Sequence, residues 1–202
     1  MPMLTESTTP TGVWDKLADW IVSRRVRITT AVFSLLIAED IFTGIKPHNP
    51  ANVEDVTSLV GVAFIAVGLW VRSWAAGTLH KLTRLTTHGP YAIVRNPLYL
   101  GSFLMMIGFC TLIDDPENIW IVLGPFLALF VLKVRDEERR LADRFGAEWS
   151  DYVRTTPRFL PRRLFGRVKG CWSLRQWVAN HEYRAVAAAA TGLTVLSMWH
   201  LL

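Results

Sequence analysis

Residues 56–79 read VTSLVGVAFIAVGLWVRSWAAGTL, and Arg72 is the single charge in the stretch. A helix of about 20 mainly apolar residues spans the hydrocarbon core of a bilayer, so this stretch alone frames the chain as a membrane protein. Four further apolar runs follow the same logic: 28–45, 98–113, 118–134 and 185–202. The chain has 202 residues, 51% of them hydrophobic and 19% charged, and the charges gather between the apolar runs. A soluble bundle of buried helices would spread its charges along polar helix faces instead. The expected fold class is therefore all-α: a polytopic membrane helical bundle of about five transmembrane helices.

Charge sets the expected orientation. With the N-terminus cytoplasmic and five alternating spans, twenty of the 22 Lys and Arg fall in cytoplasmic segments, Lys46 alone lies on the far side, and Arg72 sits within a span. Positive charge marks the cytoplasmic side of short membrane loops, and the acidic turn DDPEN at 114–118 belongs outside. The net charge of +5 thus reads as topology and attraction to anionic headgroups, with no nucleic-acid partner implied. Residues 1–20 lack a continuous apolar core, so no cleavable signal peptide is expected. Cys110 in a span and Cys171 in a cytoplasmic segment suggest neither a disulfide framework nor a metal site.

Three parts are expected. Residues 1–27 form a tail and an amphipathic interfacial helix, with Val13, Leu17, Trp20 and Ile21 at helical spacing. Residues 28–161 form the membrane domain, and 162–202 a basic interfacial segment with Trp172, Trp177 and Tyr183 before a last span. Glu39 and Asp40 lie near the outer end of the first run, within reach of the interface. Pro125 is expected to kink its helix. Gly146 is expected to end the next helical stretch as a cap, with the short helix AEWSDYV after it and Pro157 and Pro161 breaking the chain beyond.

The chemistry concentrates in residues 87–99, THGPYAIVRNPLY. Asn96 before Pro97 matches a helix N-cap followed by proline at the first helical position. Backbone N–H groups and the positive dipole end of that helix would face the cytoplasm and favour an anion. Arg95 beside them can hold a carboxylate in bidentate fashion. Gly89 and Pro90 suit a turn that brings backbone close to a ligand, and Tyr91 and Tyr99 add aromatic faces with polar tips. Opposite them stand Glu137 and Glu138, about 100° apart around their helix. One of these can receive an ammonium group or hold Arg95, while the other turns to a neighbouring helix. Cationic and N–H groups facing a carboxylate suit a zwitterionic amino-acid moiety.

HGPYAIVRNPLYLG (88–101) and DEERRLADRFGAEWSDYVRTTPRFLP (136–161) together resemble the isoprenylcysteine carboxyl methyltransferase family, which includes related phospholipid N-methyltransferases. The resemblance spans about residues 56–161. It implies an integral-membrane helical fold that binds S-adenosylmethionine at the cytoplasmic face, outside the Rossmann class. A glycine–x–tyrosine turn of the family is matched by Gly89 and Tyr91, its Arg–His–Pro–x–Tyr motif by Arg95, Pro97 and Tyr99, and its paired glutamates by Glu137 and Glu138. Asn96 stands where the family commonly has His. The resemblance and the residue chemistry together give candidate cofactor contacts at His88, Gly89, Pro90, Tyr91, Arg95, Asn96, Pro97, Tyr99, Glu137 and Glu138. Of these, Arg95, Tyr99 and Glu138 are the candidate catalytic groups.

Methyl transfer from a sulfonium is an in-line displacement, helped by alignment and desolvation of the nucleophile. A carboxylate nucleophile needs no base, whereas an amine or thiol must first lose a proton. The expected partners are membrane lipids and a lipophilic or small methyl acceptor. Two other readings stand beside this one. The first is an NADPH-dependent membrane reductase of the sterol reductase type, which would carry more spans. The second is a non-catalytic membrane protein, which would place its polar cluster near mid-membrane.

Overall fold

The computed structural model describes residue 35 and residues 38–80, 84–161 and 172–201. The amphipathic helix expected within 13–27, most of the first apolar run and Cys171 lie outside these residues. The described residues are helical, with no strand among them. Among the described residues, 38–43 are helical and five α-helices follow: α1 (Val56–Thr78), α2 (Pro97–Ile113), α3 (Pro116–Thr155), α4 (Leu174–Ala179) and α5 (Tyr183–His200), with a short 3-10 turn at Gly89–Ala92 between the first two.

Among the described residues α1 alone is long and apolar enough to cross a membrane, and α2 is apolar over 17 residues. Of the five expected spans, one meets the length and composition of a membrane-crossing helix among the described residues.

Helices α1 and α2 run antiparallel and meet through glycines. A β-carbon on Gly68 would stand 2.6 Å from the Gly101 carbonyl oxygen, and one on Gly101 would stand 2.6 Å from that of Gly68. A turn-pair away, a β-carbon on Gly108 would lie 2.5 Å from the Gly61 carbonyl, and one on Gly61 3.0 Å from that of Gly108. Within a membrane, where lipid tails are as apolar as leucine, such close backbone approach supplies the packing that holds two helices together. Around this seam Ile65, Leu112, Ile113, Ala189, Leu196 and Trp199 form the buried core, so α5 packs onto the same pair.

Each end of α1 is tied differently. At its N-terminus Asp55 caps the helix, accepting from the Thr57 N–H at 3.0 Å and the Ser58 hydroxyl at 2.8 Å. His48 lies 2.5 Å from Asp55 and 3.1 Å from Asp114, in the tight turn that joins α2 to α3. Asp114 adopts a left-handed conformation there, φ 59°. Glu39 and Asp40 lie beside Asp115 at this same end. At the other end, residues 172–182 run across the last turn of α1.

Helix α3 continues through residue 125, and its backbone leaves helical geometry at Gly146, φ 50°, ψ −114°. Glycine adopts that φ without penalty. The short helix beyond it folds back, so that Trp149 and Tyr152 pack with Leu85 against Leu141 and Phe145.

Two outcomes follow from this packing. Gly68→Ala forces the helices apart and is expected to cost about 1–3 kcal/mol, read as a lower Tm in detergent. Gly124→Ala, where a β-carbon meets nothing within 4 Å, should leave Tm unchanged or higher. The second outcome concerns acid. The Ser58 hydroxyl foremost, with Thr57 and His48 adding, holds the Asp55 carboxyl below its ordinary value of 3.8. A depressed carboxylate stabilises the fold above its unfolded value, and the contribution disappears as pH falls through the folded one. Asp55→Asn should therefore remove that acid limb from a plot of Tm against pH.

Candidate functional site

A cavity of about 280 Å³ opens where the chain leaves α1, enters α2 and passes the middle of α3. Its first wall is formed by Leu79, His80, Arg84, Leu85 and Thr86, its second by the turn and helix start from Tyr91 to Tyr99, and its third by the face of α3 carrying Lys133, Glu137, Arg140 and Leu141. Trp149 and Tyr152, on the helix folded back past Gly146, close the fourth side.

Each functional side chain is held by an identifiable contact. Pro97 opens α2 with Asn96 at the cap position, as the dipeptide predicts. The Asn96 side chain does not bond its own helix, however. Its amide donates to Glu138 at 3.1 Å instead. A buried carboxylate needs donors, and Glu138, 8% exposed, takes them from three directions. Arg158 grips it with Nε at 3.1 Å and a terminal nitrogen at 2.5 Å, and Arg95 lies at 3.7 Å. The Arg95 backbone N–H also donates to the Pro157 carbonyl at 2.8 Å.

Glu138 is thus consumed in joining α2, α3 and the segment after α3, and it does not line the cavity. Glu137 does, accepting from the Tyr99 hydroxyl at 3.0 Å. The two adjacent glutamates divide the tasks that their angular separation on a helix requires.

Of the remaining sequence candidates, Tyr91, Arg95, Asn96, Pro97 and Tyr99 line the cavity, whereas His88, Gly89 and Pro90 do not. Gly89 instead takes φ 62° and packs against Thr78 at the end of α1, where a β-carbon would come within 3.0 Å. Its close backbone approach is to the neighbouring helix.

Two groups lack a partner among the described residues: the Tyr91 hydroxyl and Arg95 Nε, both buried. Such atoms are rare in native structures and ask for a ligand or water. Burial, with Glu137 beside it, pushes the Tyr91 phenol well above its ordinary value, so it remains a neutral hydroxyl that can donate. The Tyr152 phenol is raised by burial as well, and it donates to the Tyr91 carbonyl at 2.6 Å. The Arg95 guanidinium lies over the Trp149 ring, 5.9 Å from its centroid, within cation–π range. Burial and the neighbouring Arg84 lower the His80 imidazole below its usual 6.5. That suits the unprotonated Nε2, which accepts from Arg84 at 2.6 Å.

Lys133, Arg140 and Leu141 were absent from the sequence candidates. Their signal was present: with Glu137 they fall at i, i+4, i+7 and i+8, one face of a helix. Arg158, Trp149 and Tyr152 carried no comparable local signal, since their roles depend on the reversal at Gly146.

Comparison with known proteins agrees with this layout. Residues 56–148 match the phospholipid methyltransferase family model. The cobalt-zinc-cadmium resistance protein CzcN of Cupriavidus metallidurans is 27% identical over 169 residues, 82% of this chain and 76% of that protein. The nickel-cobalt-cadmium resistance protein NccN of Alcaligenes xylosoxydans xylosoxydans is 33% identical over 105 residues, 52% of this chain and 48% of that one. Protein-S-isoprenylcysteine O-methyltransferase of Saccharomyces cerevisiae is 25% identical over 134 residues, 60% of this chain and 56% of the yeast protein. No solved structure matches the chain at a significant level. Residues 56–148, which hold every cavity-lining residue up to Leu141, thus match phospholipid methyltransferases, and the chain is a distant homologue of isoprenylcysteine O-methyltransferase.

Proposed function

We propose that the protein is an S-adenosylmethionine-dependent methyltransferase whose cavity opens at the cytoplasmic membrane face and serves a lipophilic acceptor. The observation that carries this reading is the pair of buried, unpartnered donors, the Tyr91 hydroxyl and Arg95 Nε, on one cavity within the family-matched segment. The donor set fits the cofactor. Arg95 suits a carboxylate, and Glu137, oriented by Tyr99, suits an ammonium group. The aromatic and aliphatic wall of Leu85, Leu141, Trp149 and Tyr152 keeps water from one side. When bound, S-adenosylmethionine supplies an electrophilic methyl group on a sulfonium centre.

The chain's own residues then bind, orient and dry the site. Arg95 is steadied by Glu138 on one side and the Trp149 ring on the other, which limits the rotamers it must give up on binding. Tyr91, neutral across the physiological range, donates a hydrogen bond and does not act as a base at pH 7. With Glu137 engaged by the ammonium group, no other carboxylate lines the cavity among the described residues, so an amine or thiol acceptor must arrive without its proton, whereas a carboxylate acceptor has none to lose. The basic side chains Arg84, Lys133 and Arg140 around the cavity favour a cytoplasmic opening, with a lipophilic acceptor reaching it sideways from the bilayer.

The names of two relatives, both metal-resistance proteins, support a rival reading, a non-catalytic role in resistance. Calorimetric titration of detergent-purified protein separates the readings. S-adenosylhomocysteine is expected to bind saturably to the wild type, and Arg95→Ala to weaken it by about tenfold or more, the worth of a charge-assisted hydrogen bond. Wild-type affinity in Arg95→Ala would remove Arg95 from the site. Binding of NADPH in place of S-adenosylhomocysteine would point to the reductase, and binding of neither to the resistance role.

A further inference from the structure

The family match ends at residue 148, yet the chain from Trp172 to Glu182 is tied to α1 by four hydrogen bonds and an ion pair. A helix leaves its last four carbonyls without intrahelical partners, and α1 has no basic residue in its last turn to meet them. Residues about a hundred positions away supply donors to two of these carbonyls, Ala76 and Gly77, and to those of Ser73 and Leu79 beside them. The Asn180 amide donates to the Ala76 carbonyl at 2.8 Å and the Leu79 carbonyl at 3.0 Å. The Ser173 N–H donates to the Gly77 carbonyl at 2.9 Å, and the Trp172 indole N–H to the Ser73 carbonyl at 3.0 Å. Gly77 has no room for a β-carbon, which would lie 2.0 Å from the Trp172 ring.

One turn deeper, Glu182 forms a two-pronged pair with Arg72 at 2.8 and 3.0 Å. The Glu182 side chain is 3% exposed. The remaining Arg72 nitrogen donates to the Ser102 hydroxyl and to the Leu98 carbonyl, in the first turns of α2. Leu79 and Leu98, two of the residues that these contacts reach, both line the cavity.

We propose that Glu182 is a positioning residue of the cavity. Through Arg72 it fixes the start of α2, while Asn180 in the same segment fixes the chain leaving α1, so that two walls are held in register by a part of the protein outside the family domain. An ion pair kept in an apolar bundle favours this over a purely stabilising role. Replacing such a pair by apolar residues of similar volume is often neutral or stabilising, whereas a salt bridge with a spare donor fixes geometry. The proposal rests on the cofactor reading above.

The test compares the wild type with Glu182→Gln, Arg72→Leu/Glu182→Leu and Arg72→Lys. Each is measured in detergent for Tm, for S-adenosylhomocysteine affinity well below Tm, and for amide exchange at 98–102 relative to α5. Glu182→Gln is expected to lower Tm and weaken affinity about tenfold. The double apolar variant should regain Tm but keep the weak affinity and the faster exchange at 98–102. If it regains wild-type affinity together with Tm, the pair is structural only and the proposal falls. Should the double variant not fold, Arg72→Lys decides, because it keeps the charge but loses the fork that reaches α2. Weakened binding in the folded variant supports the proposal, and full affinity overturns it. If the wild type binds no S-adenosylhomocysteine, the cofactor reading fails by itself. Exchange at 98–102 then judges the positioning role: faster in Glu182→Gln supports it, and unchanged overturns it.

Discussion

At the crossing of α1 and α2 the carbonyl oxygen of each of Gly68 and Gly101 lies where the other's side chain would begin. That constraint fixes the distance between the helices by backbone alone. Everything else is arranged around it. Arg72, one turn past Gly68, lies over Gly101 and from there reaches the first turns of α2. The buried apolar cluster closes over the same seam. The two cavity walls are the chain segments that leave this pair at one end, so their separation is inherited from the absence of side chains at the crossing.

The polar residues around the cavity divide into those that face it and those that hold others in place. Asn96 and Glu138 look from their chemistry like ligand contacts, and Asn96 does border the cavity. Its amide is nevertheless committed to Glu138, which is committed in turn to Arg158. A buried carboxylate on α3 collecting donors from two other segments is a junction. Arg95 is steadied beside it with one nitrogen unpartnered among the described residues.

Much of this was legible in the sequence because it is local. Asn96–Pro97 announces a helix start, Gly146 announces a break, and Tyr91, Arg95, Tyr99 and Glu137 stand out as polar groups flanking apolar runs. Other features were hidden for physical reasons. The glycines that join α1 and α2 recur at seven residues, two turns apart on each helix, where the familiar membrane signature has a spacing of four. The Asn96 side chain was read as a cap because local geometry favours one, but a carboxylate from another helix competes better. Gly89 was read as making room for a ligand and makes room for Thr78. The partners of the last α1 carbonyls come from the far end of the chain, and no pattern around α1 announces them.

The reversal at Gly146 also divides the cavity by origin. Three of its walls are formed by residues within 56–148, the stretch that matches the family model. The aromatic wall, Trp149 and Tyr152, lies on a short arm that leaves the line of α3 at one glycine whose surroundings are open and is tied back by the Tyr152 hydroxyl on the Tyr91 carbonyl and by the Arg158–Glu138 pair. Substitutions on that arm alter the shape and polarity of the cavity without touching the glycine seam. The same core can therefore be inherited unchanged while ligand preference diverges on an appendage, a division of labour that separates what must be kept from what is free to evolve.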